Sequence, residues 1–108
     1  MPHDPHLADL MRDVAARRRG MVERSMFGSR CWLLNGNLVC GAEVGRFLFR
    51  VGKAQEAAAL SRPGAEAVVL SGRRMGGFVW VEADACLDGG LESWIDLAAA
   101  FAGALPPK

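Results

Sequence analysis

Histidine is nearly absent from this chain: of 108 residues only His3 and His6 carry imidazole, both before residue 7. A folded body without histidine lacks the side chain that most readily serves as a general base near neutral pH. Ser-His-Asp and Cys-His nucleophilic arrangements are therefore disfavoured. Cysteine is also sparse. Cys31, Cys40 and Cys86 make an odd set with no Cys-x2-Cys spacing, so thiols rather than structural disulfides are expected and no zinc site is indicated. No stretch approaches the ~18 consecutive apolar residues that a membrane span needs. The opening "MPHDPHLADLMRDV" has no basic segment followed by an apolar one, which points to the cytoplasm and away from the membrane. A net charge of +1 supplies no general field for holding nucleic acid. No Walker loop or dinucleotide fingerprint occurs, and "GRRMGG" joins two strands instead of opening a helix, so it reads as a hairpin loop and not a phosphate cradle. Glu43, Glu66 and Glu82 fall at strand ends and turns without a readable pair. No catalytic residue, metal site or cofactor is expected.

What is present describes a globular domain. A 51% hydrophobic and 23% charged composition suits one domain spanning residues 1–108, able to bury roughly 65% of the surface its unfolded chain exposes. Residues 1–4 are expected to be flexible. Asp4-Pro5 is a helix opening, with an N-cap acceptor followed by a residue whose missing N–H costs nothing there. Leu7, Leu10, Met11, Val14 and Ala15 form one stripe of a 3.6-residue period. Arg17, Arg18 and Arg19 then suit the last helical turn, and Gly20 the left-handed position after it. Short apolar segments follow, punctuated by Asn35-Gly36 and Gly45, and predict a three-strand meander at about 30–34, 37–43 and 46–51. "KAQEAAALSRP" predicts a short helix ended by Pro63. "EAVVL" and "GGFVWVE" predict two further strands joined by "SGRRMG". Leu91, Trp94, Ile95, Ala98, Phe101, Ala102 and Leu105 mark a final helix stopped by Pro106-Pro107. The expectation is an α+β fold: a mainly antiparallel five-stranded sheet, made of the meander plus two strands, with an N-terminal, a short middle and a C-terminal helix.

The stretch "MFGSRCWLLNGNLVCG" (26–41) is the segment closest to chemistry. If Asn35-Gly36 is a two-residue type I′ turn, counting outward pairs Leu34 with Asn37, Leu33 with Leu38, Trp32 with Val39 and Cys31 with Cys40. The two cysteines then form a non-hydrogen-bonded pair about 4.5 Å apart at Cα, at the lower edge of disulfide geometry. Cys31 and Cys40 are thus a candidate redox pair, weighed against two thiols that only fill a sheet face. The same register puts Cys31, Leu33, Leu38 and Cys40 on one face and Trp32, Leu34 and Val39 on the other, while Phe47, Phe49 and Val51 oppose Leu48 and Arg50. Both faces are apolar, so a helix or a partner should cover the second one, and a homodimer or a partner-binding surface is expected. Trp32, Trp80 and Trp94 are expected where helix meets sheet.

Taken together, "RSMFGSRCWLLNGNLVCGAEVGRFLFRVG", "RPGAEAVVLSGRRMGGFVWVEAD" and "LESWIDLAAAFAGALPPK" resemble the TfoX (Sxy) N-terminal-domain family of competence regulators, over residues 7–108. The most specific pieces are Met26-Phe27-Gly28, Asn35-Gly36, Gly76-Gly77-Phe78 and Trp94. Ser29 departs from the family's usual second glycine. The resemblance implies an α+β domain with an antiparallel sheet and flanking helices. It also implies a regulatory or interaction role in bacteria without established catalytic residues, in a single-domain member lacking the family's C-terminal helix-hairpin-helix-type domain. In physical terms Phe27 anchors the first strand and the glycines permit close approach; alternatively Met26, Phe27 and Phe78 line a groove for a protein partner. A nucleic-acid-associated domain is the alternative, its patch built from Arg17, Arg18, Arg19, Arg24, Arg73 and Arg74 if the fold assembles them. A cryptic small-ligand or enzyme pocket is the third reading.

Overall fold

The computed structural model describes residues 5–26 and 29–108. The expected flexible segment 1–4, with Asp4 and His3, and the residues Phe27 and Gly28 lie outside the described residues. The order is α1 (Pro5–Ala15), β1 (Met21–Met26), β2 (Ser29–Leu34), β3 (Asn37–Ala42), β4 (Arg46–Arg50), α2 (Lys53–Leu60), β5 (Ala65–Leu70), β6 (Arg73–Glu82), α3 (Ala83–Gly89) and α4 (Leu91–Gly103). The strands form one antiparallel sheet in the order β1-β2-β3-β4-β6-β5. The fold is α+β, as expected, but with six strands and four helices among the described residues where five and three were anticipated.

Each extra element has an identifiable cause. β1, "MVERSM", does not read as a strand because Glu23 interrupts the apolar alternation. The fold satisfies that carboxylate with two arginines: Arg12 of α1 donates from Nε and Nη2 at 2.7 and 2.8 Å, and Arg30 of β2 from Nε at 2.8 Å. The segment between β6 and α4 becomes α3 because Glu82 accepts a hydrogen bond from the Ala85 N–H at 2.9 Å, an N-cap contact. α1 ends at Ala15, so the arginines 17–19 belong to the connection and not to a last helical turn. Gly20 takes the left-handed conformation with φ +88°.

Asn35 and Gly36 both have positive φ, 54° and 82°, as a type I′ turn requires. Ser71 and Gly72 repeat the pattern at 52° and 76°. The loop expected over 71–76 is therefore only this two-residue turn, and Arg73 to Gly76 are the first residues of β6.

One face of the sheet carries the core. Trp32, Cys40, Phe49 and Val79 lie in register across β2, β3, β4 and β6, all buried. Met11 of α1, Ala59 of α2, Cys86 of α3 and Trp94, Ile95 and Ala98 of α4 pack onto that face. The Phe49 and Trp94 rings stack with centroids 5.2 Å apart and 18° between planes. Burying a side chain of this size stabilises by about 2–3 kcal/mol, so this row is where the sheet and α4 are locked together. Among the described residues, the core contributed by all four helices lies on this face alone.

Candidate functional site

The opposite face is built by the alternate residues. Arg24, Cys31, Gly41, Leu48, Trp80 and Glu66 form a row crossing all six strands. Gly41 leaves the middle of that row without a side chain. A Cβ there would stand 3.1 Å from Cys31 Sγ, so the row sinks at its centre. The β5–β6 hairpin rises as a wall beside it. Between Ala67 and Val69 the pairing jumps from Val79 to Arg74, an irregularity that brings Val68 into the face, 2% exposed. The result is a concavity of about 460 Å³, with Met26, Leu38, Leu48, Val68, Phe78 and Trp80 among its lining residues and Cys31 on its floor.

One end of the groove is charged. The Arg46 guanidinium lies 3.4 Å from the centroid of the Trp80 ring. It donates from Nε to Glu43 at 2.9 Å and stands 3.9 Å from Glu66. Glu43, Glu66 and Glu82 surround this arginine in an adjoining hollow of about 390 Å³. Below it the Trp80 Nε1–H is buried without a hydrogen-bond partner, a state that costs about 1–3 kcal/mol.

The structure separates the candidate redox pair. The register slips at the Trp32/Leu33 step, so Val39 is the extra residue of a bulge, Trp32 stands opposite Cys40, and Cys31 stands opposite Gly41. The cause is packing. Val39 and Cys40 are both fully buried in the helix-covered core, which a regular strand could not achieve with consecutive residues. Cys40 therefore points into the core and Cys31 into the groove, and thiols on opposite sheet faces cannot be bridged without backbone movement. All three cysteines are free and buried. Burial pushes the Cys31 thiol up to about 11, assisted by Glu43, and the Cys86 thiol up to about 12; Cys40 is displaced furthest in the same direction, again by burial. Such thiols are weak nucleophiles at neutral pH.

Met26 and Phe78 of the expected groove do meet in this concavity, whereas Phe27 lies outside the described residues. Trp80 departs from expectation: it lies on the open face, away from the helices, whereas Trp32 and Trp94 are in the core. Trp80, Leu48, Val68 and Arg46 are the groove residues that sequence reasoning missed. Alternation of Leu48 against Phe47 and Phe49 was the available signal.

The arginine patch is not assembled in one place. Arg17 and Arg18 follow α1 and pair with Glu92 and Asp96 of α4, and Arg19 is exposed beside them. Arg24 lies on the open face of the edge strand β1. Arg73 and Arg74 begin β6, toward the other edge, and Arg74 pairs with Glu56 of α2 at 2.8 Å. Four strand spacings, about 19 Å, separate β1 from β6.

Among the described residues no group of three or more His, Cys, Asp or Glu is placed to hold a metal ion, and no helix is long and apolar enough to cross a membrane. Fold and face together define a class: a two-layer α+β domain with one helix-covered and one open apolar sheet face. No protein-family model, curated protein or solved structure matches the chain.

Proposed function

We propose that this chain is a non-catalytic cytoplasmic regulatory or protein-interaction domain of the TfoX N-terminal type, working in bacterial transcription or competence control through contacts made by its open sheet face. The observation that carries the reading is the apolar groove on that face, with exposed Leu70 in its lining and covered by no helix among the described residues. Apolar area of this kind on an antiparallel sheet is stabilised by a second surface. Six strands span about 24 Å edge to edge, and strands of five to six residues are about 17–20 Å long, which offers roughly 400–500 Å² of projected surface. That lies at the small end of specific interfaces and suits reversible regulatory contacts better than an obligate complex.

Two measurements test the reading. Sedimentation equilibrium of the full chain reports self-association through this face, and affinity capture from a bacterial lysate, with and without nuclease, reports other partners. Leu48→Asp places a charge in the groove without touching the core and is expected to abolish either contact while the far-ultraviolet circular dichroism stays unchanged. Contacts that survive Leu48→Asp refute the assignment of the face. Partners lost on nuclease treatment alone would transfer the reading to nucleic acid.

A further inference from the structure

The open face is complementary to itself under one rotation. Its central row reads Arg24, Cys31, Gly41, Leu48, Trp80 and Glu66 from β1 to β5, so a cation stands at one edge and an anion at the other, both exposed. A two-fold axis lying between two such faces and running along the strands reverses the row of the second copy. Arg24 then comes over the partner's Glu66, Cys31 over its Trp80 and Gly41 over its Leu48, each contact being made twice. Opposite charges meet at both ends. In the middle large residues meet small ones: the hollow at Gly41 receives the half-buried Leu48 of the other copy, and the buried Cys31 lies under the Trp80 ring. The neighbouring row obeys the same rotation. The Glu43 N–H donates to the Arg46 carbonyl at 3.0 Å, so these residues oppose one another across β3 and β4, and the reversal sets each ion pair head to tail beside its copy without displacing it. Face-to-face sheets align within about 30° of one another. At the ends of the row, about 12 Å from the axis, that angle offsets opposed residues by about 6 Å, which the long Arg24 side chain spans. A two-fold axis across the strands would instead lay each strand over its own copy, with Arg24 on Arg24, Glu66 on Glu66 and the two Gly41 hollows together. Charge and shape therefore select the same axis.

We infer that the occupant of the open face is a second copy of this chain, held in a closed two-fold dimer in which Arg24 of each copy pairs with Glu66 of the other and Leu48 of each fills the other's Gly41 hollow. The inference rests on the reading of the open face as a binding surface and names the partner. Two faces of roughly 400–500 Å² in projection cover about 800–1,000 Å² together, below the ~1,200 Å² at which standard interfaces begin. The dimer is thus concentration-dependent, and self-association competes with any other protein for the same groove.

The test is sedimentation equilibrium of the full chain at about 5–500 µM, a span chosen for an interface of this size, with circular dichroism to confirm that each variant keeps the fold. The parent is expected to pass from monomer to dimer and no further. Arg24→Glu alone and Glu66→Arg alone each turn two attractive contacts into two repulsive ones, and each should weaken the dimer by at least about fivefold. An equimolar mixture of the two single variants restores an opposite-charge pair at both ends, so it should associate to within about twofold of the parent, as should the double variant Arg24→Glu/Glu66→Arg. A chain that stays monomeric throughout, assembly beyond the dimer, single variants that associate like the parent, or a mixture no stronger than its components would each overturn the inference. Single variants unchanged beside an intact parent dimer would indicate the other two-fold axis. The broader reading of the face is tested separately: a monomeric chain that still captures a protein through a Leu48-dependent contact refutes the dimer and leaves the interaction surface standing, whereas association that survives Leu48→Asp refutes both.

Discussion

Gly76 and Gly77 are adjacent in sequence, yet adding one methyl group to each should have very different consequences. Gly77 has φ +85°, and a Cβ there would stand 3.2 Å from the carbonyl carbon of Gly52 and from the N of Lys53, both backbone atoms that cannot rotate away. The residue is also a hydrogen-bonding junction: its carbonyl accepts from the Val51 and Gly52 N–H groups at 2.8 and 3.0 Å, and its own N–H donates to Glu56 Oε1 at 2.8 Å. Gly77→Ala therefore pays the left-handed backbone penalty of about 1–2 kcal/mol plus the displacement of α2's first residue. We expect about 2–4 kcal/mol of destabilisation in total. At about 4–8 °C per kcal/mol for a domain near this size, the melting temperature should fall by about 8–32 °C. At Gly76 a Cβ meets only the end of the Lys53 side chain, at 3.1 Å from Cε, and φ is not in the left-handed range. A flexible lysine can yield, so Gly76→Ala should stay within about 0.5 kcal/mol of the parent. Urea unfolding followed by circular dichroism measures both. Equal losses in the two variants, or a larger loss at Gly76, would refute the argument that the fold approaches itself at Gly77.

Acid should weaken the attachment of α1 and β2 to β1. The guanidinium groups of Arg12 and Arg30 hold the Glu23 carboxyl down at about 2, from an ordinary 4.5, with the Arg12 hydrogen bonds the main cause. A carboxylate depressed in the folded state stabilises above its unfolded value and loses that contribution as pH falls through its folded one. The Glu23 contribution, about 1 kcal/mol after allowing for solvent screening around the half-exposed Arg12, should therefore disappear between pH 4.5 and 2, and Glu23→Gln should flatten the stability profile in that window. Opposite faces of β4 should differ in mutational cost: Phe49→Ala, in a fully buried position stacked on Trp94, should lose about 3–5 kcal/mol, whereas the half-buried Leu48→Ala should cost less than half as much in the same unfolding assay. Diamide treatment followed by peptide mapping should find no bridge between Cys31 and Cys40, and alkylation at pH 7 should be slow at all three thiols, because burial keeps each protonated; a Cys31–Cys40 peptide would contradict the bulged register.

Much of the fold was legible because its signals are local. The apolar stripe of α1, the Asn35-Gly36 turn, the alternation of Phe47 and Phe49 against Leu48, and the face of α4 are each contained within a few residues, and the corresponding elements appear where the periodicities put them. The two elements that were missed depend on distant partners or on a single cap. β1 is a strand because Glu23 finds Arg12 and Arg30, and α3 forms where Glu82 caps the Ala85 N–H. The site was half legible. Met26 and Phe78 could be singled out by type, and Leu48 by alternation, but the groove itself is a product of three-dimensional register.

That register is where sequence and tertiary structure part. By itself the sequence determined the class of fold, the positions of its turns and the two-sided apolar character of the sheet, because each follows from residue type and short-range spacing; the expectation of a folded body without histidine does not hold, since His6 lies in α1. Only the tertiary structure decided that Val39 bulges so that Cys31 and Cys40 part to opposite faces, that the helix-borne core of the described chain collects on one face, and that Glu43, Glu66 and Glu82 gather around Arg46. Those outcomes depend on which strand lies beside which, and on how packing resolves one extra residue in a ladder, and no window of sequence contains that information.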